Sequence, residues 1–263
     1  MATTPSRSPS HHPPTPLAEI RFPRLCAHRG LSACCPENTL PALAAAMGVG
    51  VPEIELDLWR TRDGVLAVCH DPTVDRTTDG HGAIAELTWD DVCALDAGAH
   101  WGDDWRGTPI PRLEQVLALL GGRTALNLHV KETGPDGATV RQVCDLLRQE
   151  GLVEAAYIAG DEDVLSAAQA YAPEVPRACL GQQADPDAQI DLARRYDCQR
   201  LQFGRHVTPA QVARAHQVGL ICNLFWSDDP DEARAYVHQG IDVILTNSAQ
   251  RLAGGGFPNL TWR

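Results

Sequence analysis

"VPEIELDLWR", residues 51–60, is the stretch whose reading decides the fold. Val51, Ile54, Leu56 and Leu58 suit an interior strand, yet Glu55 and Asp57 alternate with them. Side chains two residues apart in a strand share a face, so both carboxylates point the same way. Two adjacent carboxylates repel, and a bound proton or a cation relieves the repulsion. Three readings follow: exposed acids on an edge strand, partners for Arg29 and Lys131, or two ligands of a divalent cation. A strand this apolar belongs in a core, and its surroundings decide which core.

Outward from residue 51 the chain alternates apolar strand and amphipathic helix. Strands are predicted over 24–29, 51–58, 65–70, 124–131, 155–159, 177–181, 200–204, 219–226 and 241–246. Helical patterns occupy 39–47, 112–120, 138–149, 162–171, 186–196, 208–217 and 230–239. Asn38, Asp161 and Thr208 stand as N-caps, with Pro209 just inside the last of these helices. Gly48, Gly151, Gly219 and Gly240 follow helical runs as C-terminal stops. Such alternation predicts a parallel sheet. About eight strand–helix units fit a (β/α)8 TIM-type barrel, with a hairpin accounting for the ninth strand. Neither a dinucleotide glycine fingerprint nor a Walker loop supports an open, doubly wound sheet. Residues 71–111 break the rhythm with a long polar segment, expected to lie over the catalytic face as a lid carrying Trp89, Trp101 and Trp105.

Composition narrows the partners. Of 263 residues, 34 are acidic and 22 are Lys or Arg, a net charge of −12, which argues against nucleic acid or an anionic membrane surface. The nine cysteines show no C-x-x-C spacing, as expected of reduced thiols in a cytoplasmic protein. No run approaches the roughly 20 apolar residues that span a bilayer. Residues 1–20, rich in Pro, Ser and Thr, read as a disordered tail, and 21–263 as one barrel domain. Oligomeric state is not legible.

The polar residues that interrupt the strands fall into one pattern. "CAHRG" puts His28 and Arg29 where the first strand meets its loop; "VLAVCHD" puts His70 and Asp71 at the end of the third. In "ALNLHVKE", Asn127, His129 and Lys131 share one face while Leu126, Leu128 and Val130 take the other. Unpaired charges are costly to bury, so so many at strand ends point to a shared site. Cations for a developing negative charge, with two imidazoles that titrate near neutrality, are what phosphoryl chemistry requires.

Three stretches, "AHRG", "PENTLPAL" and "EIELDLWRTRDGVLAVCHDPTVDRTTDGHGAIAELT", resemble the glycerophosphodiester phosphodiesterase family, and the likeness runs on to "GIDVILTN". The resemblance implies a TIM-type barrel that cleaves small phosphodiesters with one divalent ion. It implies His28 and His70 as the acid–base pair, Glu55 and Asp57 as metal ligands, and Arg29 and Lys131 as phosphate-binding cations. Glu37, in the PENT-like turn, is a further candidate or a local partner of Arg29. Three positions depart from the family pattern. His129 replaces a glutamate ligand, which suits Mg²⁺, Mn²⁺, Co²⁺ or Zn²⁺ better than Ca²⁺. "FWSD" places Phe225 in a tryptophan slot; Asn223 shares its strand face, so both are candidates to line the alcohol pocket, with core packing the alternative for Phe225. Asn247 in "LTN" stands where aspartate is common. Two rival functions use related residues: a phospholipase D-like lyase that releases a cyclic phosphate, and a non-catalytic barrel that binds a phosphate metabolite.

Overall fold

The computed structural model describes residues 16, 17 and 22–254. Eight parallel strands close into a barrel: β1 (Arg24–His28), β2 (Glu53–Arg60), β4 (Ala125–Val130), β5 (Ala156–Gly160), β6 (Arg177–Cys179), β7 (Arg200–Gly204), β8 (Ile221–Phe225) and β9 (Val243–Thr246). Closure is made by β1, which pairs with β2 on one side and β9 on the other. The extra strand β3 (Leu66–Val68) returns antiparallel along the upper end of β2, with Val68 opposite Leu58. The expected TIM-type barrel with an added hairpin is the observed fold.

Period-two alternation sorts each strand into two faces. Outward-facing Ile54, Leu56, Leu58, Leu126, Leu128 and Val130 join the layer of helix side chains in the main hydrophobic core. The inward face is polar in the same strands: Glu53, Glu55 and Asp57 on β2, Asn127 and His129 on β4. At the lower level Glu53 is buried with Arg24 at 2.9 Å and Arg200 at 3.5 Å, and it accepts a hydrogen bond from the Tyr157 hydroxyl. These ions form a polar floor where many barrels carry branched aliphatics.

Helices α1 (Leu40–Val49), α3 (Leu113–Leu120), α4 (Ala138–Gln149), α5 (Glu162–Tyr171), α6 (Pro186–Arg195), α7 (Pro209–Gln217) and α8 (Pro230–His238) lie between strands as the pattern predicts. Thr208 caps α7 in a reciprocal box with Gln211, and Pro209 opens the helix. Two caps differ from expectation. Thr39, not Asn38, accepts the Ala42 amide at the start of α1, and Asn38, at φ +58°, turns its side chain to Asp57 instead. Gly50 at φ +83° ends α1, while Gly48 lies inside it. Asp161 precedes α5 without a side-chain cap bond.

The segment 71–111 folds around its own small core, in which Trp89 packs near Val74, Ile84, Val92 and Ile110. It includes the short helix α2 (Trp89–Cys93), capped by Thr88 and Asp91. Its exit returns to its entrance: the Val68 amide donates to Pro111 O at 2.9 Å, and Ala67 bridges Arg112. Of the expected tail, only Pro16 and Leu17 are described; Leu17 N donates to Glu154 O at 2.7 Å, and the remainder lies outside the described residues.

Candidate active site

At the carboxyl ends of the strands, a cavity of about 120 Å³ is lined by His28, Arg29, Glu55, Asp57, His70 and His129 on its charged side. The first strand delivers His28 and the turn after it delivers Arg29, whose φ of +59° brings its amide to Glu55 Oε2 at 2.9 Å. Strand β2 presents Glu55 and Asp57 side by side, and β4 sets His129 in register with Asp57. His70 comes by a different route, at the foot of the antiparallel return: the Cys69 amide donates to Asp57 O at 3.1 Å, and Trp59 Nε1 donates to His70 O at 3.0 Å.

Asp57 is the most heavily contacted of these groups. Lys131 Nζ lies 2.9 Å and His129 Nδ1 3.1 Å from its Oδ1, while Oδ2 accepts from Asn38 Nδ2 at 2.9 Å and faces Arg29 Nε at 3.5 Å. Burial pushes this carboxyl up, but the His129 contact and the Lys131 charge outweigh burial and hold it well below the usual range. Glu55 goes the other way: burial and the neighbouring Asp57 charge raise it well above an ordinary glutamate. The two neighbouring acids are thus driven in opposite directions, Asp57 toward the ionised form and Glu55 away from it. Despite its close cations, Asp57 Oδ1 has no directional hydrogen bond and is buried. Ligand atoms of Glu55, Asp57 and His129 lie within 4.8 Å of one another. A buried, directionally unsatisfied carboxylate oxygen with a second carboxylate and an imidazole beside it fits a divalent ion.

The histidines are held differently. His28 Nδ1 and Asn247 Oδ1 are 2.8 Å apart, and because the Asn247 amide donates to Asp228 at 3.0 Å, its oxygen is the end that faces the ring. His28 therefore carries its hydrogen on Nδ1 and turns the Nε2 lone pair toward Glu55, 4.0 Å away. Burial and the Arg29 charge push this histidine down to about 4, so the ring is neutral at physiological pH. Phe225 packs edge-on against it at 5.3 Å. His70 Nδ1 instead meets a carboxylate, Asp71, at 2.6 Å. Asp71 is bound by Arg76 at 2.5 Å, and Arg76 grips Glu37 with both terminal nitrogens at 2.7 and 3.0 Å. Glu37 closes the chain on Arg29 at 2.9 Å. The insertion thus reaches the site through Asp71 and Arg76; Trp89, Trp101 and Trp105 do not line the cavity.

Most of the residues singled out from sequence meet here. Phe225 lines the cavity; Lys131 stands just behind Asp57. Asn223 does not line it: fully buried, it donates to the Tyr157 hydroxyl at 3.1 Å. Arg76 and Asp228 were not foreseen. Arg76 lies in the very hairpin motif that carries His70, and Asp228 in "FWSD", so both stood in quoted stretches without a recognisable partner.

Comparison with known proteins agrees with this fold. Glycerophosphodiester phosphodiesterase of Caldanaerobacter subterraneus subsp. tengcongensis is 45% identical over 106 residues, 40% of this chain and 44% of that enzyme. The chain spans about half the length of the curated relatives it matches. Solved structures extend the likeness to nearly the whole fold. Glycerophosphodiester phosphodiesterase of Agrobacterium tumefaciens matches with a TM-score of 0.76 and 28% identity, over 88% of this chain and 99% of that one. A phosphodiesterase of Oleispira antarctica, in complex with the product sn-glycerol-3-phosphate, matches with a TM-score of 0.82 and 27% identity, over 89% and 96%. Residues 28–251 match the glycerophosphoryl diester phosphodiesterase family, and the chain belongs to it.

Proposed function

We propose that the protein is a metal-dependent phosphodiesterase that hydrolyses glycerophosphodiester-type substrates to an alcohol and a phosphomonoester. The observation that carries this reading is the meeting, in one small cavity, of a paired-carboxylate and imidazole cluster with two histidines in different settings. Glu55, Asp57 and His129 would hold a divalent ion, which supplies Lewis-acid polarisation of a phosphoryl oxygen when bound. Arg29 lines the cavity and supplies a fixed cation for the remaining phosphate charge; Lys131 supports it from behind Asp57. His28, neutral and with its free Nε2 turned inward, is set to take the proton of the attacking hydroxyl. His70, whose Nδ1 is tied to Asp71, is set to deliver a proton from Nε2 to the leaving oxygen. Asp71 and Arg76 fix that ring and anchor the insertion over this part of the mouth. No described helix is long and apolar enough to cross a membrane, which suits a small dissolved substrate.

The test is a panel of phosphodiesters assayed with Mg²⁺, Mn²⁺, Co²⁺, Zn²⁺ and Ca²⁺, with products identified by phosphorus NMR. Release of a phosphomonoester under at least one ion is expected. A persistent cyclic phosphate would mark a lyase, and binding without turnover under every ion would mark a phosphate-binding barrel.

A further inference from the structure

At the opposite end of the barrel, three side chains of different metal-ligating chemistry come together. His216 on α7, Cys222 on β8 and Asp242, the residue before β9, have donor atoms within 4.8 Å of one another. They lie at the amino ends of the strands. Asp242 precedes Asn247 by five residues, which puts it about 16 Å along β9 from the end that holds His28. The backbone fixes two of the three: Asp242 N donates to Cys222 O at 2.9 Å, and Cys222 N donates to Asp242 Oδ2 at 2.8 Å. His216 reaches in from the last turn of α7 and sets Nε2 2.9 Å from the same carboxylate oxygen.

An ordinary histidine–aspartate pair explains neither the thiol nor the charge. Cys222 is fully buried, and its Sγ has only long contacts, to Leu220 O at 3.8 Å and Val212 O at 4.0 Å. Asp242 is 21% exposed, yet no Lys or Arg side chain pairs with it among the described residues; Arg214, on the same helix as His216, is held by Asp187 and Asp191. Sulfur, imidazole nitrogen and carboxylate oxygen form a mixed donor set that suits Zn²⁺, or Co²⁺ in its place, and not the oxygen-seeking Mg²⁺ or Ca²⁺. The spacing agrees. Nitrogen and oxygen ligands of a tetrahedral zinc stand about 3.3 Å apart, so His216 and Asp242 need move only slightly to admit the ion.

The charges balance as well. A divalent ion with one carboxylate and one thiolate is neutral, as a half-buried position requires. Burial pushes the Cys222 thiol up, so the sulfur keeps its proton until an ion binds it and that proton leaves to water. The exposed side of His216 leaves a fourth position to solvent.

We propose that His216, Cys222 and Asp242 form a second, structural site for a zinc-like ion, which pins α7 to the amino ends of β8 and β9. The site shares no residue with the catalytic cavity, so it stands apart from the phosphodiesterase reading.

The test is titration of the metal-free, full-length protein with Co²⁺, followed by absorbance. A thiolate-to-cobalt band in the near ultraviolet is expected, saturating at one ion per chain. The Glu55, Asp57 and His129 cluster contains no sulfur and gives no such band. Cys222→Ser should lack it, whereas the double variant of the exposed thiols, Cys34→Ser with Cys93→Ser, should keep it. His216→Ala alters an exposed side chain and leaves the core intact; it should weaken Co²⁺ affinity at this band by at least about tenfold, since even partners one step removed from a metal cost that much. Zn²⁺ should raise the Tm of the wild type by more than that of His216→Ala. Absence of the band in the wild type, its survival in Cys222→Ser, or its loss in the exposed-thiol variant overturns the inference. Unchanged Co²⁺ affinity or an equal Zn²⁺ effect on Tm in His216→Ala does the same, and neither measurement depends on a buried substitution.

Discussion

A histidine's role depends on what its second nitrogen touches. His28 faces the oxygen of a neutral amide that is itself fixed by Asp228, whereas His70 faces a carboxylate, and this difference is the basis on which the proposed mechanism gives the two rings opposite proton transfers. His28→Ala and His70→Ala should each lower kcat by about a hundredfold or more with much less change in KM, the usual scale for loss of general acid or base catalysis. Wild-type turnover in either purified, folded variant would remove that ring from the mechanism. His129 poses a different question. In the proposed metal site it would join two carboxylates in a ligand set of charge −2, which a divalent ion would neutralise, whereas a third carboxylate would leave −1 and repel an anionic diester. His129→Glu should accordingly retain metal binding while its preference moves from Mn²⁺ or Co²⁺ toward Mg²⁺ or Ca²⁺. His129→Ala should weaken metal affinity and activity together. Calorimetric titration of each ion into the three proteins checks this, and unchanged affinity in the alanine variant would mean that His129 is no ligand.

Among the elements, β2 and its antiparallel return do most to build the site, and they show where sequence stops being informative. The alternation in β2 revealed the inward acids because period-two patterning survives without knowledge of the partner strand. Direction does not survive in the same way: nothing in "VLAVCHD" says that its strand runs against β2, yet that reversal is why His70 arrives beside Asp57. Partners distant along the chain are equally invisible. Arg76 acquires meaning only from Glu37, 39 residues earlier, and Asp228 only from Asn247, 19 residues later. Caps slip for a related reason, since Asn38 is as good a cap as Thr39 until Asp57 claims it. In the proposed mechanism Arg76 would act as a positioning residue, through its contacts with Asp71 and Glu37. Arg76→Met should lower kcat by about tenfold with a smaller change in KM, because it frees the Asp71–His70 pair while leaving the metal ligands in place. Arg76→Lys should restore little, since a single ammonium cannot grip Glu37 with two nitrogens and Asp71 with a third. Equal kcat in both variants and wild type would reduce Arg76 to a surface tie.

At the scale of the whole molecule, the barrel holds a buried ionic floor that links its stability to pH. Burial pushes Glu53 up, but the Arg24 and Arg200 charges outweigh it and hold its carboxyl below the usual range. A depressed folded value means the unfolded chain binds the proton first. The stability from Glu53 is thus fully present above the ordinary glutamate value, about 4.3, and is lost as pH falls from there through the lowered folded value. Glu53→Gln should cost about 3–5 kcal/mol near neutrality, because it leaves two buried guanidinium groups with a weaker partner, and it should flatten the acid side of the stability profile. Urea denaturation across a pH series tests both parts; a variant with the wild-type slope on the acid side would separate Glu53 from that titration. The insertion contributes to the same molecule on other terms. Its entrance at Val68 and its exit at Pro111 are hydrogen-bonded neighbours, and it has an apolar core of its own. Segments whose two ends already touch can be lengthened, shortened or exchanged without stretching the scaffold that bears them. The barrel can therefore hold its mouth unchanged while the part of this appendage beyond Arg76 drifts, which gives a lineage of such proteins a region free to vary without disturbing what it surrounds.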